Sequence, residues 1–223
     1  MTHPPLPALA SITQLLERHT AFESPALVPE IRVFQARSLV EVWEAAESIA
    51  GCPVPSPFWA YAWPAGIALA RVLLDSPALA SGRRVLDFGA GGGVASLAAA
   101  HAGAALVVAN DVDPWATAVT RVAASKQGLK VETHTGDLTK DTSFVDQFDV
   151  VLASDLSYER HAAPGQRALL ERAHARGALV LIADAGRTYF DDSGLRMVAS
   201  FDIGVPRDLE GVGERRARVF VVE

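Results

Sequence analysis

Apolar positions recur at helical spacing from residue 6 to about 20 and then give way to an extended, β-branched stretch over about 27–36. Ser38-Leu39-Val40-Glu41 reads as a capping box opening a helix to about residue 50, because a hydroxyl at the cap and a carboxylate three residues on satisfy exposed backbone N–H groups reciprocally. Prolines at 53, 55 and 57 make 51–58 a rigid connection, and Pro64 suits the first turn of a helix reaching about residue 74.

From residue 83 the rhythm changes. Short apolar runs at 85–88, 105–109, 129–134, 148–153 and 178–183 alternate with helical segments at 94–102, from the Asp113-Pro114 cap to about 127, and at 166–175. Runs apolar on both faces with crossover helices between them predict a parallel sheet covered on both sides. Residues 198–205 and 216–222 have no helix between them, only Gly211 and Gly213 in the connection, and predict an antiparallel pair at the sheet edge. The expected fold is α/β: a doubly wound, Rossmann-like sheet of seven strands with a C-terminal antiparallel pair and an N-terminal extension over 1–58.

Composition narrows the function. With 223 residues, half of them hydrophobic and a fifth charged, the chain suits one ordinary domain. Twenty basic against 26 acidic residues give −6, which argues against a nonspecific grip on nucleic acid or anionic membrane. Cys52 is the single cysteine, so no intrachain disulfide and no cysteine zinc site is expected, and the six histidines show no pairing at metal spacing. Met1-Thr2-His3-Pro4-Pro5 has no cationic region before an apolar core, so no leader is expected. The most apolar stretch, 94–109, is interrupted by Ser96, His101 and Gly103 and is too short and mixed to span a membrane. Few lysines and abundant alanine suggest a GC-rich genome; a monomer in a bacterial cytoplasm is expected.

Asp87, Asp111, Asp137, Asp155 and Asp184 each end or closely follow an apolar run, which places five carboxylates at the rim where ligands bind in such sheets. The simpler reading of any one of them is a helix N-cap. Gly89-Ala90-Gly91-Gly92-Gly93 follows a strand and opens a helix, allowing a tight turn and close backbone approach. Val94 stands where a dinucleotide fingerprint needs its third glycine, and the chain contains no Gly-Lys for a phosphate loop. Asp111, 22 positions after Gly89, suits a ribose diol, and Asp137 could reach an adenine amino group. A ligand with adenosine and no pyrophosphate fits better than NAD, and S-adenosylmethionine is one; Asp87 could face its methionine end.

The run Val85-Leu86-Asp87-Phe88-Gly89-Ala90-Gly91 resembles motif I of the seven-β-strand methyltransferases. Phe58-Trp59-Ala60-Tyr61-Ala62-Trp63-Pro64-Ala65-Gly66 is similar to the aromatic segment preceding the core in a group of protein-lysine methyltransferases. Ser154-Asp155-Leu156-Ser157-Tyr158-Glu159 matches the D-x-x-Y element of that group. Within the group, the chain most resembles the electron transfer flavoprotein β-subunit lysine methyltransferases. Residues 109–114 and Asp184-Ala185-Gly186-Arg187 resemble their blocks too, with departures at Ala65 and Ala185, where glycine and proline are expected.

The resemblance implies a methyltransferase domain over 59–223 and S-adenosylmethionine as cofactor. It implies Asp87, Gly89 and Gly91 around the methionine part, Asp111 on the ribose, Asp137 and Leu138 at the adenine, and Trp63 closing one side. Trp59, Val112 and Ser154 complete the implied cofactor set. Asp155 and Tyr158 would line the channel where the target lysine enters, and the electron transfer flavoprotein β subunit would be the protein partner. Methyl transfer to an amine needs position, desolvation and a neutral nucleophile. A free lysine, with a pKa near 10.4, is neutral in only about one molecule in a few thousand at pH 7. Asp155 against the ammonium would favour the charged form, so it is read as a docking and orienting group rather than a strong base. Tyr158 either orients the amine through its hydroxyl or packs its ring on it. A small-molecule amine methyltransferase, a cofactor-binding module without turnover and an NAD-dependent oxidoreductase are the competing readings.

Overall fold

The computed structural model describes residues 6–223, so the leader reading of residues 1–5 lies outside the described residues. The N-terminal part runs α1 (Leu9–His19), β1 (Thr20–Glu23), β2 (Val33–Ala36), α2 (Leu39–Ala50) and α3 (Pro64–Asp75). The alternating part follows as β3 (Arg84–Phe88), α4 (Val94–His101), β4 (Leu106–Asp111), α5 (Pro114–Lys126), β5 (Glu132–Thr135), β6 (Val150–Ser154), α6 (Ala163–Ala175) and β7 (Leu179–Asp184). The chain closes with β8 (Leu195–Gly204), α7 (Arg207–Glu210) and β9 (Glu214–Val222).

The seven-stranded sheet has the order β5-β4-β3-β6-β7-β9-β8. Its first five strands are parallel, and β9 lies antiparallel between β7 and β8. The fold is the doubly wound, Rossmann-like one expected. The chain winds outward from β3 through β4 to β5, then returns to place β6 on the other side of β3. That reversal opens a crevice at the carboxyl ends of β3 and β6, where such sheets bind ligands.

Strand alternation explains the unbroken apolar runs. Val85, Val150, Leu152, Leu181 and Ala183 join one apolar cluster with α1 to α5, while Leu86, Val151, Ala153, Val180 and Ile182 join a second with α6 and residues 144–148. The central strands β3, β6 and β7 are buried on both faces, so neither face is left polar there, whereas the outer strands β5 and β8 are largely exposed. The N-terminal elements share the first cluster through Ile12, Leu15, Leu16, Phe34 and Val42.

Local signals set several boundaries. Ser38 Oγ accepts the Glu41 N–H at 3.3 Å, the hydroxyl half of the expected capping box, and Asp113 Oδ1 accepts the Trp115 N–H at 2.9 Å as the expected cap. The stretch 27–36 is strand only from Val33; Pro29 interrupts its first half, and its partner is Thr20–Glu23, of which sequence spacing placed only Thr20 at the helix end and assigned residues 21–23 to no element. Phe22 and Phe34 oppose each other with ring centroids 4.7 Å apart, a cross-strand contact that holds this register. Helix α7 was not anticipated.

Candidate functional site

The glycine loop leaves β3 and is held from β4. Gly89 and Ala90 both donate their N–H groups to the Asn110 carbonyl, at 2.9 and 2.8 Å. Buried Asn110 is fixed in turn, donating through Nδ2 to the carbonyls of His134 and Gly136. Left-handed backbone explains the glycines at 89 and 91. Gly89 has φ +72°, and a Cβ there would lie 2.2 Å from Leu156 Cδ2. Gly91 has φ +53° with nothing within 4 Å of its Cβ position, so its backbone borders open space.

The carboxylates expected at the rim divide by environment. Asp87 is 1% exposed; one oxygen accepts the Ser96 hydroxyl at 2.5 Å, and Oδ1 has no partner. Burial pushes its pKa up to about 6, because water no longer solvates the charge. Asp111 accepts the Gly91 N–H at 2.9 Å through Oδ2 and the Asp113 N–H at 2.9 Å through Oδ1, fixing the carboxylate beside the loop. Asp113 is pushed up to about 7, first by burial and then by the Asp111 charge. Asp137 accepts the Thr139 N–H and hydroxyl and pairs with Lys140 Nζ at 3.1 Å; the Thr139 hydroxyl and then Lys140 hold it below the usual carboxylate range. Its side chain is committed to its own turn. Leu138 beside it is buried in the second apolar cluster, and Val112 is half-exposed after Asp111.

The aromatic segment before α3 separates its two tryptophans. Trp59 is 2% exposed, with its ring stacked parallel on Trp115 at 6.1 Å, and its carbonyl lies 2.6 Å from where a Gly92 Cβ would stand. It braces the loop from within the core. Trp63 reaches the cleft, where Phe58, Tyr61 and Tyr158 extend an aromatic wall: Phe58 meets Trp63 and Tyr158 edge-on at 5.8 Å each, and Tyr61 meets Trp63 at 5.0 Å. Phe58 and Tyr158 are about half-exposed, so this wall opens to solvent. Loss of hydration, then the charges of Glu159, Asp111 and Asp113, hold the Tyr158 phenol above its usual pKa, so it is a neutral donor at pH 7.

Asp155 follows β6, with Ser154 as the last residue of that strand. It is 8% exposed and adopts φ +51°, a left-handed conformation that costs a non-glycine residue of order 1 kcal/mol or more. Its oxygens are occupied: Oδ2 accepts the Ala65 N–H at 3.2 Å, and Oδ1 accepts the Ala185 N–H at 3.2 Å and Arg187 Nε at 2.8 Å. The carboxylate therefore caps the first turn of α3 from a distance and ties it to the segment after β7. Ala65 and Ala185 are the two departures from the resembled pattern, and both supply backbone donors to Asp155; a proline at 185 would have no N–H to give. Asp184 is wholly buried, accepts from Gly186 and Arg187 through Oδ1, and has its pKa raised chiefly by burial.

Arg187, Glu210 and Arg215 were not singled out as site residues. Arg187 donates to Asp155 and, through both terminal nitrogens, to Glu210 at 3.2 and 3.3 Å, while its Cζ lies 5.1 Å from the Trp63 ring centroid. The Glu210 carboxylate is 2% exposed and also accepts Arg215 Nε at 3.1 Å. Only the position of Arg187 in the Asp184–Arg187 block pointed to it.

Residues 85–177 match a family model described as a methyltransferase domain. The chain is 35% identical over 183 residues to the Danio rerio electron transfer flavoprotein beta subunit lysine methyltransferase, covering 82% of this chain and 70% of that one. It is 34% identical over 185 residues to the Mus musculus protein of the same name, covering 81% and 71%. A Pyrococcus horikoshii structure described as a candidate RNA methyltransferase matches 96% of each chain with a TM-score of 0.53 at 16% identity, a likeness of fold alone. No helix among the described residues is long and apolar enough to cross a membrane.

Proposed function

Because the chain belongs to the electron transfer flavoprotein β-subunit lysine methyltransferase family, we propose that its acceptor is a lysine of that β subunit, entering between Phe58, Trp63 and Tyr158. The protein is an S-adenosylmethionine-dependent protein-lysine methyltransferase. The observation that carries the acceptor reading is the juxtaposition, at one rim, of a carboxylate-lined glycine loop and a solvent-facing aromatic wall.

The residues at the loop fit the cofactor. Asp87 has a buried carboxylate oxygen without a partner, which suits an ammonium. Asp111 is fixed beside the loop by accepting the Gly91 and Asp113 N–H groups, and a carboxylate is the acceptor type that suits a vicinal diol. Gly91 leaves the adjoining space open. When bound, the cofactor supplies a methyl group already activated by its sulfonium. The protein's part is to hold, orient and desolvate. Asp87, Gly89 and Gly91 would hold the methionine part and Asp111 the ribose, Val112 and Leu138 would lie toward the adenine, and Trp63 would close one side. Trp59 supports the loop from below, and Ser154 and Asp137 shape the rim.

A lysine must lose its proton, to water at the solvent-facing mouth of the wall, before it attacks. Aromatic rings accept the ammonium on entry and exclude water, and low hydration favours the neutral amine. Asp155 is engaged by two backbone N–H groups and paired with Arg187, so its part is to order the wall. Tyr158 contributes a ring packed on Phe58 and a neutral hydroxyl.

Incubation of the purified protein with tritiated S-adenosylmethionine and purified flavoprotein, followed by a denaturing gel, tests the acceptor. Label in the β subunit supports it; label confined to another protein or to small molecules overturns it.

A further inference from the structure

Around Trp63 the contacts close into a ring. Trp63 is the residue before α3, whose Ala65 N–H donates to Asp155 Oδ2; Asp155 Oδ1 accepts Arg187 Nε; and the Arg187 guanidinium returns to lie over the Trp63 indole. Three separate segments meet there: the start of α3, the turn after β6 and the turn after β7. Among the described residues, the ring receives an ionic support from one further segment, Glu210 at the end of α7, which takes both terminal nitrogens of Arg187.

Glu210 is held from behind. Arg215 at the start of β9 donates Nε to its carboxylate and Nη2 to its backbone carbonyl, at 3.1 and 3.0 Å. The charges alternate, Asp155, Arg187, Glu210, Arg215, with the acidic members nearly removed from water. Such a chain is a poor means of gaining stability, since desolvation offsets most of the attraction and apolar side chains would serve as well. Its distinguishing property is geometric. A guanidinium engaged on Nε and on both terminal nitrogens has one orientation, so the plane that faces Trp63 is set by Glu210.

We propose that Glu210 is a positioning residue for methyl transfer, acting through Arg187 on Trp63 and Asp155, so that α7 fixes the acceptor side of the site without touching the reactants. This rests on the acceptor entering beside Trp63, and it adds a residue contributed by the connection between β8 and β9. The glycine loop and Asp111 lie outside the ring of contacts, so cofactor binding and acceptor positioning are separable.

The test compares wild type with Glu210→Gln, Arg187→Lys and the double variant, each first shown to keep its fold by circular dichroism and thermal melting. The acceptor is whichever protein wild type labels in a cell extract, so the outcome does not depend on the flavoprotein being the substrate. Glu210→Gln keeps the shape of the side chain but removes the charge that orients Arg187. The expected result is a loss of about tenfold to a hundredfold in kcat, the scale of a small misplacement at a reacting centre. Cofactor affinity by calorimetry should stay within about twofold of wild type, because nothing at the loop has changed. Arg187→Lys should behave alike, and the double variant should be no worse than the poorer single one, because both act through one contact. Glu210→Asp, which keeps the charge, should recover part of the loss. Unchanged kcat in Glu210→Gln, additive losses in the double variant, or equal losses in cofactor affinity and turnover would each overturn the proposal.

Discussion

Asp155 accepts Arg187 Nε at 2.8 Å in a pair almost closed off from water, and the same carboxylate caps the first turn of α3 through Ala65. Removing one partner of a buried pair costs several kcal/mol of local free energy, because the other charge is left uncompensated. Asp155→Ala is therefore expected to abolish transfer, while calorimetry still finds cofactor bound at the separate glycine loop. Turnover near wild type in that variant would remove Asp155 from the site.

Tyr158 is predicted to act chiefly through its ring. Its ring meets Phe58 edge-on at 5.8 Å, and its phenol is held neutral. Tyr158→Phe keeps that contact and should retain most of kcat/KM, whereas Tyr158→Ala opens the wall to water and should lose about tenfold or more. Equal loss in both variants, measured by steady-state methylation, would mean that the hydroxyl is essential and the ring assignment wrong.

Asp111 ties the loop to β4 and presents its oxygens to the ribose position. A hydrogen bond to a charged group contributes about 1.5–3 kcal/mol, so Asp111→Ala should weaken cofactor binding by roughly tenfold to a hundredfold. An unchanged dissociation constant by calorimetry would place the ribose elsewhere.

The pH dependence of stability follows from two raised carboxyls. Asp87 rises from 3.8 to about 6 and Asp113 from 3.8 to about 7 in the folded chain. Between the ordinary value and the raised one, the folded state binds more protons than the unfolded state, so stability falls as pH rises. Thermal melts of the unligated protein should show declining stability from about pH 4 to about pH 7, with Asp87 contributing roughly 1–3 kcal/mol. Asp87→Asn should flatten part of that slope. Saturating cofactor should flatten it as well, since an ammonium beside Oδ1 favours the ionised form. Stability that climbs across this window would contradict the burial of these charges.

Much of this was legible in the sequence because sheet direction is. Once the apolar runs at Val85, Val150 and Val180 are read as parallel strands, Asp87, Asp155 and Asp184 must fall at one rim. Asp113 and Ser38 were legible as caps because a cap is local. The ion chain was not: Asp155 and Arg187 are 32 positions apart, Arg187 and Glu210 are 23 apart, and a four-residue helix carries no periodic signal. Strand β1 was hidden for a similar reason, since the four residues 20–23 are too few to show a period of their own and become strand only by pairing with Val33–Ala36. Trp59 and Trp63 stand in one aromatic block, and only the short 3-10 turn over Phe58–Ala60 decides that the first stacks in the core and the second faces the cleft.

The most direct test of the central claim is the intact mass of the electron transfer flavoprotein β subunit after co-expression with wild type or with Asp155→Ala, followed by peptide mapping. The account predicts added masses of whole methyl groups on lysine with wild type and none with the variant. An unmodified β subunit in the presence of active wild-type enzyme, or methyl groups on residues other than lysine, would contradict it.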